Sequence, residues 1–245
     1  MYIMIIEYVN YFFHKLDLIR GDINKNDRSG ALHKFWGYIF TNHIRGDYVE
    51  FGVYKGDTLI ESYRQYLAFR KWLQNQMHSN EKWRIDVARN FIDFNANFHG
   101  LDTFEGMPDN KEGNPTFVEG SFLSDYDEVL RICKSKGLVS PQLTLYKGVF
   151  IETGKILSKN MGERKIAIAN IDSDLYESAK DALEIIEPHL QIGAIIMFDD
   201  YNAFNADMKK GERLAFNNFI RSSRWKFEPW CSYMYTGQAF LCVDG

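Results

Sequence analysis

The sequence predicts an α/β fold: a parallel sheet covered by helices and closed by an antiparallel pair of strands. Three observations predict it. From Tyr48 onward, short β-rich apolar runs alternate with amphipathic stretches of helical spacing. Two of those runs end in paired carboxylates, at the sheet edge where ligands of such folds bind. Beyond the last helical stretch the alternation stops, and two β-rich runs flank Tyr233–Gly237.

The elements follow in chain order. Met1–Phe13 is apolar, and Ile5, Val9, Phe12, Phe13 and Leu16 recur at helical spacing, which predicts an amphipathic helix. The stretch has no basic leader and no small-residue cleavage site, Glu7 and Asn10 interrupt it, and it is shorter than the ~20 residues of a membrane span. Residues 1–28 are therefore expected to form a helical extension of a soluble, cytoplasmic chain with no membrane partner. Its apolar face could cover this core or a second copy in a homodimer. The polar run Gly21–Ser29 reads as a loop.

Residues 29–245 are expected to form one domain, because no Pro-, Gly- or Ser-rich linker divides them. Candidate strands are Tyr48–Val53, Asn97–Leu101, Leu143–Lys147, Ile166–Ile171 and Ala194–Phe198, followed by Trp225–Trp230 and Ala239–Val243. Helices are expected at Thr58–Leu73, Tyr126–Ser135, Ile151–Lys159, Glu177–Leu190 and Gly211–Arg221. Arg64–Asn95 carries Trp72, Trp83, Phe91 and Phe94 among many charges, more than one connecting helix requires. It reads as a helical insertion at about 64–95: a second helix, a lid or an oligomer contact. Trp225, Trp230, Tyr233 and Tyr235 read as core.

Composition narrows the function. The 245 residues carry 29 Lys and Arg against 33 Asp and Glu, a net charge of −4, which is a poor match to a phosphate backbone and argues against nucleic acid. Three cysteines form no CxxC pair and suit a reducing compartment. The six histidines show no paired spacing for a zinc site, and neither GxSxG nor GxxxxGK[ST] occurs.

Three motifs carry chemistry. Glu50-Phe51-Gly52-Val53-Tyr54-Lys55-Gly56 joins a strand to a helix, and its glycines permit a tight turn and close approach of backbone to a ligand. The Glu-x-Gly-x-x-x-Gly pattern fits the loop that methyltransferases wrap around S-adenosylmethionine, whereas a plain structural turn would use the same residues. Asp102, at the tip of the next strand, can accept two ribose hydroxyls; the alternative is a helix cap. Asn170-Ile171-Asp172-Ser173-Asp174 and Phe198-Asp199-Asp200-Tyr201 close two strands at one edge. Four carboxylates so close repel one another unless a cation sits among them, and oxygen ligands alone point to Mg²⁺, with Mn²⁺ or Ca²⁺ possible.

With these residues placed, the chain resembles the macrocin/mycinamicin O-methyltransferase family, Mg²⁺-dependent enzymes that methylate sugar hydroxyls of natural products. The blocks YVEFGVYKGDT, LDTFEGMP, LYKGVFIET, IDSDLYESAKDAL and GAIIMFDDYNAF carry the likeness, in family order. The resemblance implies a class I, Rossmann-like methyltransferase fold: a seven-stranded sheet with a C-terminal antiparallel hairpin. It implies that Glu50, Gly52 and Gly56 surround the methionine part of S-adenosylmethionine and that Asp102 takes the ribose. Ser121 and Phe122, with Gly148 and Phe150, match blocks near the adenine, and Asp172 also borders the cofactor. Asp174, Asp199 and Asp200 match the metal carboxylates; Asp174 also matches the acceptor of the substrate proton, with Asp172 the runner-up for either role. The substrate would be a small hydroxylated molecule, a vicinal diol or a sugar.

Two rivals share parts of this pattern. Asp-x-Asp also serves metal-dependent phosphatases and nucleotide-sugar transferases, but in the phosphatases it follows the first strand, not the fourth behind a glycine loop. A module that binds the cofactor without catalysis would have no use for four strand-end carboxylates.

Overall fold

The structure is a computed structural model that describes residues 27–113 and 117–245. The expected N-terminal helix lies outside the described residues. Seven strands form one sheet in the order β3-β2-β1-β4-β5-β7-β6. They are β1 (Asp47–Phe51), β2 (Phe98–Asp102), β3 (Leu143–Lys147), β4 (Ile166–Ile171), β5 (Ile195–Phe198), β6 (Lys226–Tyr233) and β7 (Gly237–Asp244). β1 to β5 run parallel, while β7 lies antiparallel to both β5 and β6. All six residues of β4 are buried, the apolar run Ile166–Ala169 and Ile171 together with the polar Asn170, as befits a strand in a sheet covered on both faces.

The helices are α1 (Arg28–Thr41), α2 (Asp57–Gln76), α3 (Lys82–Phe91), α4 (Tyr126–Ser135), α5 (Phe150–Met161), α6 (Tyr176–Ile186) and α7 (Gly211–Ser222). Side chains alternate across the strands and divide the core in two: on β5, Ile195 and Met197 join one cluster, Ile196 and Phe198 the other. The first is closed by α1 to α4 through residues such as Phe35, Trp36, Leu59, Phe91 and Val129. The second is closed by α5, α6 and α7 through Leu157, Leu183 and Phe216. Each such fully buried apolar side chain contributes about 1.5–3 kcal/mol relative to exposure.

Four expectations are corrected or sharpened. Arg28 and Ser29 belong not to a loop but to the first turn of α1, whose cap is Asp27: its Oδ1 accepts the Gly30 amide at 2.5 Å. The Arg64–Asn95 segment is the end of α2 followed by a second helix, α3, packed on the core through Val87, Ala88 and Phe91. The helix expected to reach Leu190 stops at Ile186, where Pro188 turns the chain into a 3-10 segment, Glu187–His189. Trp225 and Tyr233 are buried, but Tyr235 sits at the hairpin tip and is 99% exposed. The three cysteines are free. Among the described residues no helix is long and apolar enough to cross a membrane.

Candidate active site

The chain order reverses between β1 and β4, and a crevice opens outside the carboxyl ends of strands at such a point. The strand ladder continues one residue past each end. The Gly52 amide donates to Leu101 O at 2.9 Å, that of Asp172 to Phe51 O at 2.9 Å and that of Asp199 to Ile171 O at 3.2 Å. Gly52, Asp172 and Asp199 therefore stand at one edge.

Gly52 has φ 87°, and a Cβ there would lie 1.8 Å from the Asp172 carbonyl oxygen, so only glycine fits. Gly56 (φ 83°) caps α2; a Cβ on it would meet Val129 Cγ1 at 3.2 Å, so its open side receives α4. The Asp102 carboxylate ties two loops together, accepting the Tyr54 amide on Oδ2 at 2.8 Å and the Phe104 amide on Oδ1 at 2.7 Å. Glu50 is fully buried behind this edge and accepts the Tyr48 hydroxyl; burial pushes its pKa from an ordinary 4.5 up to about 7.

Opposite stands an acidic wall. Carboxylate oxygens of Asp172, Asp174 and Asp200 lie within 4.8 Å of one another. Asp174 adopts φ 61°, a left-handed conformation that turns the chain from β4 toward α6. Arg28, from α1, ion-pairs with Asp199, and its Nη1 lies 3.4 Å from Asp172 Oδ2. Burial and the neighbouring carboxylates push the pKa values of Asp172 and Asp174 well up; burial raises that of Asp199 too, against the opposing pull of Arg28. Glu212, on α7, is wholly buried and holds the two acidic turns together. It accepts the Ser173 amide at 3.2 Å and the Asp200 amide at 2.9 Å.

Both walls line one cavity of about 890 Å³, the size of a cofactor site. The Glu112 carboxylate ties together the first residues of α6 and α7, accepting the amides of Tyr176 at 2.7 Å and Gly211 at 2.6 Å. The acidic wall fits a hard divalent cation on this structure's own terms. Its donors are all oxygen, three carboxylates converge, and Asp199 Oδ1 is buried without a hydrogen-bond partner.

Residues 94–233, more than half of the chain, match the Macrocin-O-methyltransferase (TylF) family. The chain belongs to that family. A curated relative from Streptomyces olivaceus, 8-demethyl-8-(2,3-dimethoxy-alpha-L-rhamnosyl)-tetracenomycin-C 4'-O-methyltransferase, is 27% identical over 171 residues. That alignment covers 66% of this chain and 56% of the relative, so the chain spans little more than half of the relative's length. The solved O-methyltransferase NovP superposes with a TM-score of 0.64 at 20% identity, over 88% of this chain and 79% of that one. CalS11, a calicheamicin methyltransferase, gives 0.63 at 21% identity, over 87% and 77%. The fold is that of the class I O-methyltransferases, with the C-terminal hairpin that the sequence predicts.

Of the residues implied by the family resemblance, Gly52, Asp102, Phe122, Phe150, Asp172, Asp174, Asp199 and Asp200 line the cavity. Glu50, Gly56, Ser121 and Gly148 do not line it. The Gly148 amide donates to Asp102 O at 2.9 Å and Ser121 O accepts the Met107 amide at 2.7 Å, which fixes the loops that carry Asp102 and Met107. The expected metal trio was Asp174, Asp199 and Asp200; the trio brought together by distance has Asp172 in place of Asp199. Sequence reasoning missed Arg28, Glu112 and Glu212. Glu212 carried one signal, a carboxylate at the start of an amphipathic helix, which every solvated helix also shows.

Proposed function

We propose that the chain is a metal-dependent O-methyltransferase that transfers the methyl of S-adenosylmethionine to a hydroxyl of a sugar or vicinal diol on a small natural product. One observation carries the reading: a cavity with Gly52 and Asp102 on one wall and the carboxylates of Asp172, Asp174, Asp199 and Asp200 on the other. Family membership and the sugar-directed name of the Streptomyces olivaceus relative support it.

S-Adenosylmethionine would supply a methyl on a cationic sulfur that leaves as a neutral thioether. A divalent cation, Mg²⁺ or the similarly oxygen-seeking Mn²⁺ or Ca²⁺, would lower the pKa of the acceptor hydroxyl. The Gly52 turn would border the cofactor's methionyl part, its missing Cβ making room for the Asp172 carbonyl. Asp102 keeps oxygen lone pairs beyond those used by Tyr54 and Phe104, and these accept ribose hydroxyls. Phe122 and Phe150 offer apolar faces to the base. Asp172, Asp174 and Asp200 would hold the cation, with Asp199 beside them. Kept ionised by the cation against the burial that raises its pKa, Asp174 would take the hydroxyl proton as the O–CH₃ bond forms and the S–CH₃ bond breaks, so charge and atoms balance.

The test is release of S-adenosylhomocysteine across a panel of deoxysugar and diol acceptors. Asp174→Asn is expected to lower turnover by about 10²–10⁴-fold while cofactor affinity stays within about threefold. Chelator should abolish turnover and added Mg²⁺ restore it. Full turnover in chelator, or in the variant, rejects the mechanism.

A further inference from the structure

Arg28 is the one cation that ion-pairs with the acidic wall among the described residues. It reaches there from the first turn of α1, 171 residues from its partner Asp199 in sequence. Its guanidinium divides its contacts: Nη1 donates to Thr58 Oγ1 at 2.5 Å and lies 3.4 Å from Asp172 Oδ2, while Nη2 bonds Asp199. Its Nε is buried without a hydrogen-bond partner. The helix beneath is anchored independently. Ser29 Oγ donates to Glu61 Oε1 at 2.6 Å, and Trp36 Nε1 donates to Ser62 Oγ at 3.0 Å.

We infer that Arg28 is the resident counter-ion of Asp172 and Asp199, and that a divalent cation entering the acidic wall exchanges with it. The inference rests on the metal-dependent reading of this site and adds the chain's own competitor to it. Three facts carry it. The trio that converges is Asp172, Asp174 and Asp200, and the carboxylate left out of it, Asp199, is the one bonded to Arg28. The trio shares Asp172 with Arg28, so a dication there would stand beside the guanidinium in a partly buried site, where repulsion is poorly screened. The guanidinium also has a ready way out: its Nε has no bond to lose, and only the side chain must swing because α1 is anchored elsewhere. Its departure frees Asp199 Oδ2 beside the already unpartnered Oδ1, which makes a fourth carboxylate available. Before the ion arrives, Arg28 keeps Asp172 and Asp199 from repelling each other.

The test is a Mn²⁺ titration of the full chain, read by the electron paramagnetic resonance of free Mn²⁺, without cofactor or acceptor. Arg28→Gln is expected to bind Mn²⁺ roughly tenfold tighter or more, and Arg28→Lys, which keeps the charge, to stay within about threefold of the parent. The metal-free Gln variant should melt below the parent, and saturating Mn²⁺ should restore it. A Gln variant that binds Mn²⁺ no tighter than a binding-competent parent overturns the inference alone. A folded parent and folded Gln variant that both ignore millimolar Mn²⁺ overturn the metal reading, and the inference falls with it. If the Gln variant does not fold, the parent decides. Its Arg28 Nε–H resonance, assigned by its loss in Arg28→Lys, should shift on saturation with Mg²⁺, and a bound state with that resonance unmoved overturns the exchange.

Discussion

At position 50 a carboxylate is enclosed on every side and bonded by the Tyr48 hydroxyl. Burial favours its neutral form, so the folded chain binds this proton more tightly than the unfolded chain does. Stability from that proton is fully present below pH 4.5, the ordinary value, and is lost as pH rises through about 7. The size of that shift corresponds to about 3 kcal/mol. Glu50→Gln keeps the shape and an acceptor for Tyr48 but does not titrate. Its unfolding free energy relative to the parent is therefore expected to improve by about 3 kcal/mol between pH 4.5 and pH 8, measured by denaturant titration at each pH. A difference that stays flat across that window contradicts the assignment.

Among the elements, α7 has the largest hidden role. Glu212 accepts amides from the turns after β4 and β5, and so sets the spacing of Asp172, Asp174 and Asp200. Glu212→Gln would turn an amide NH₂ toward one of those N–H groups and leave a buried donor unpaired, at a cost of about 1–3 kcal/mol. The expected result is a lower melting temperature together with weaker metal binding; unchanged metal binding would separate Glu212 from the site. This contact was illegible in the sequence, since nothing local distinguishes Glu212 from a solvated first-turn glutamate. The strands were legible because their apolar runs end abruptly at Asp172 and Asp199, and β3 and β4 begin and end where the runs do. α1 was legible only in part: its buried face of Leu32, Phe35, Trp36, Ile39 and Phe40 recurs at helical spacing, but its start lies inside the polar run ending at Ser29. With α1 overlooked, Arg28 could not be placed beside Asp199 by any local pattern.

On the scale of the whole molecule, the sheet order puts β1 and β4 side by side, so that the glycine turn of one and the Asp-x-Asp of the other face a common cavity. β5 brings Asp199 and Asp200 to the same edge, and β2 brings Asp102. The site is thus assembled from four strand ends, with the Arg28 guanidinium of α1 and the amide-accepting Glu212 of α7 holding the acidic wall in shape. The most direct test of the central claim is an anomalous difference map from crystals grown with S-adenosylhomocysteine and Mn²⁺. The expected map shows the ribose at Asp102 with the base toward Phe122 and Phe150, and a Mn²⁺ peak among Asp172, Asp174 and Asp200. A well-ordered protein with that cavity empty of both, or with Mn²⁺ bound elsewhere, would contradict it.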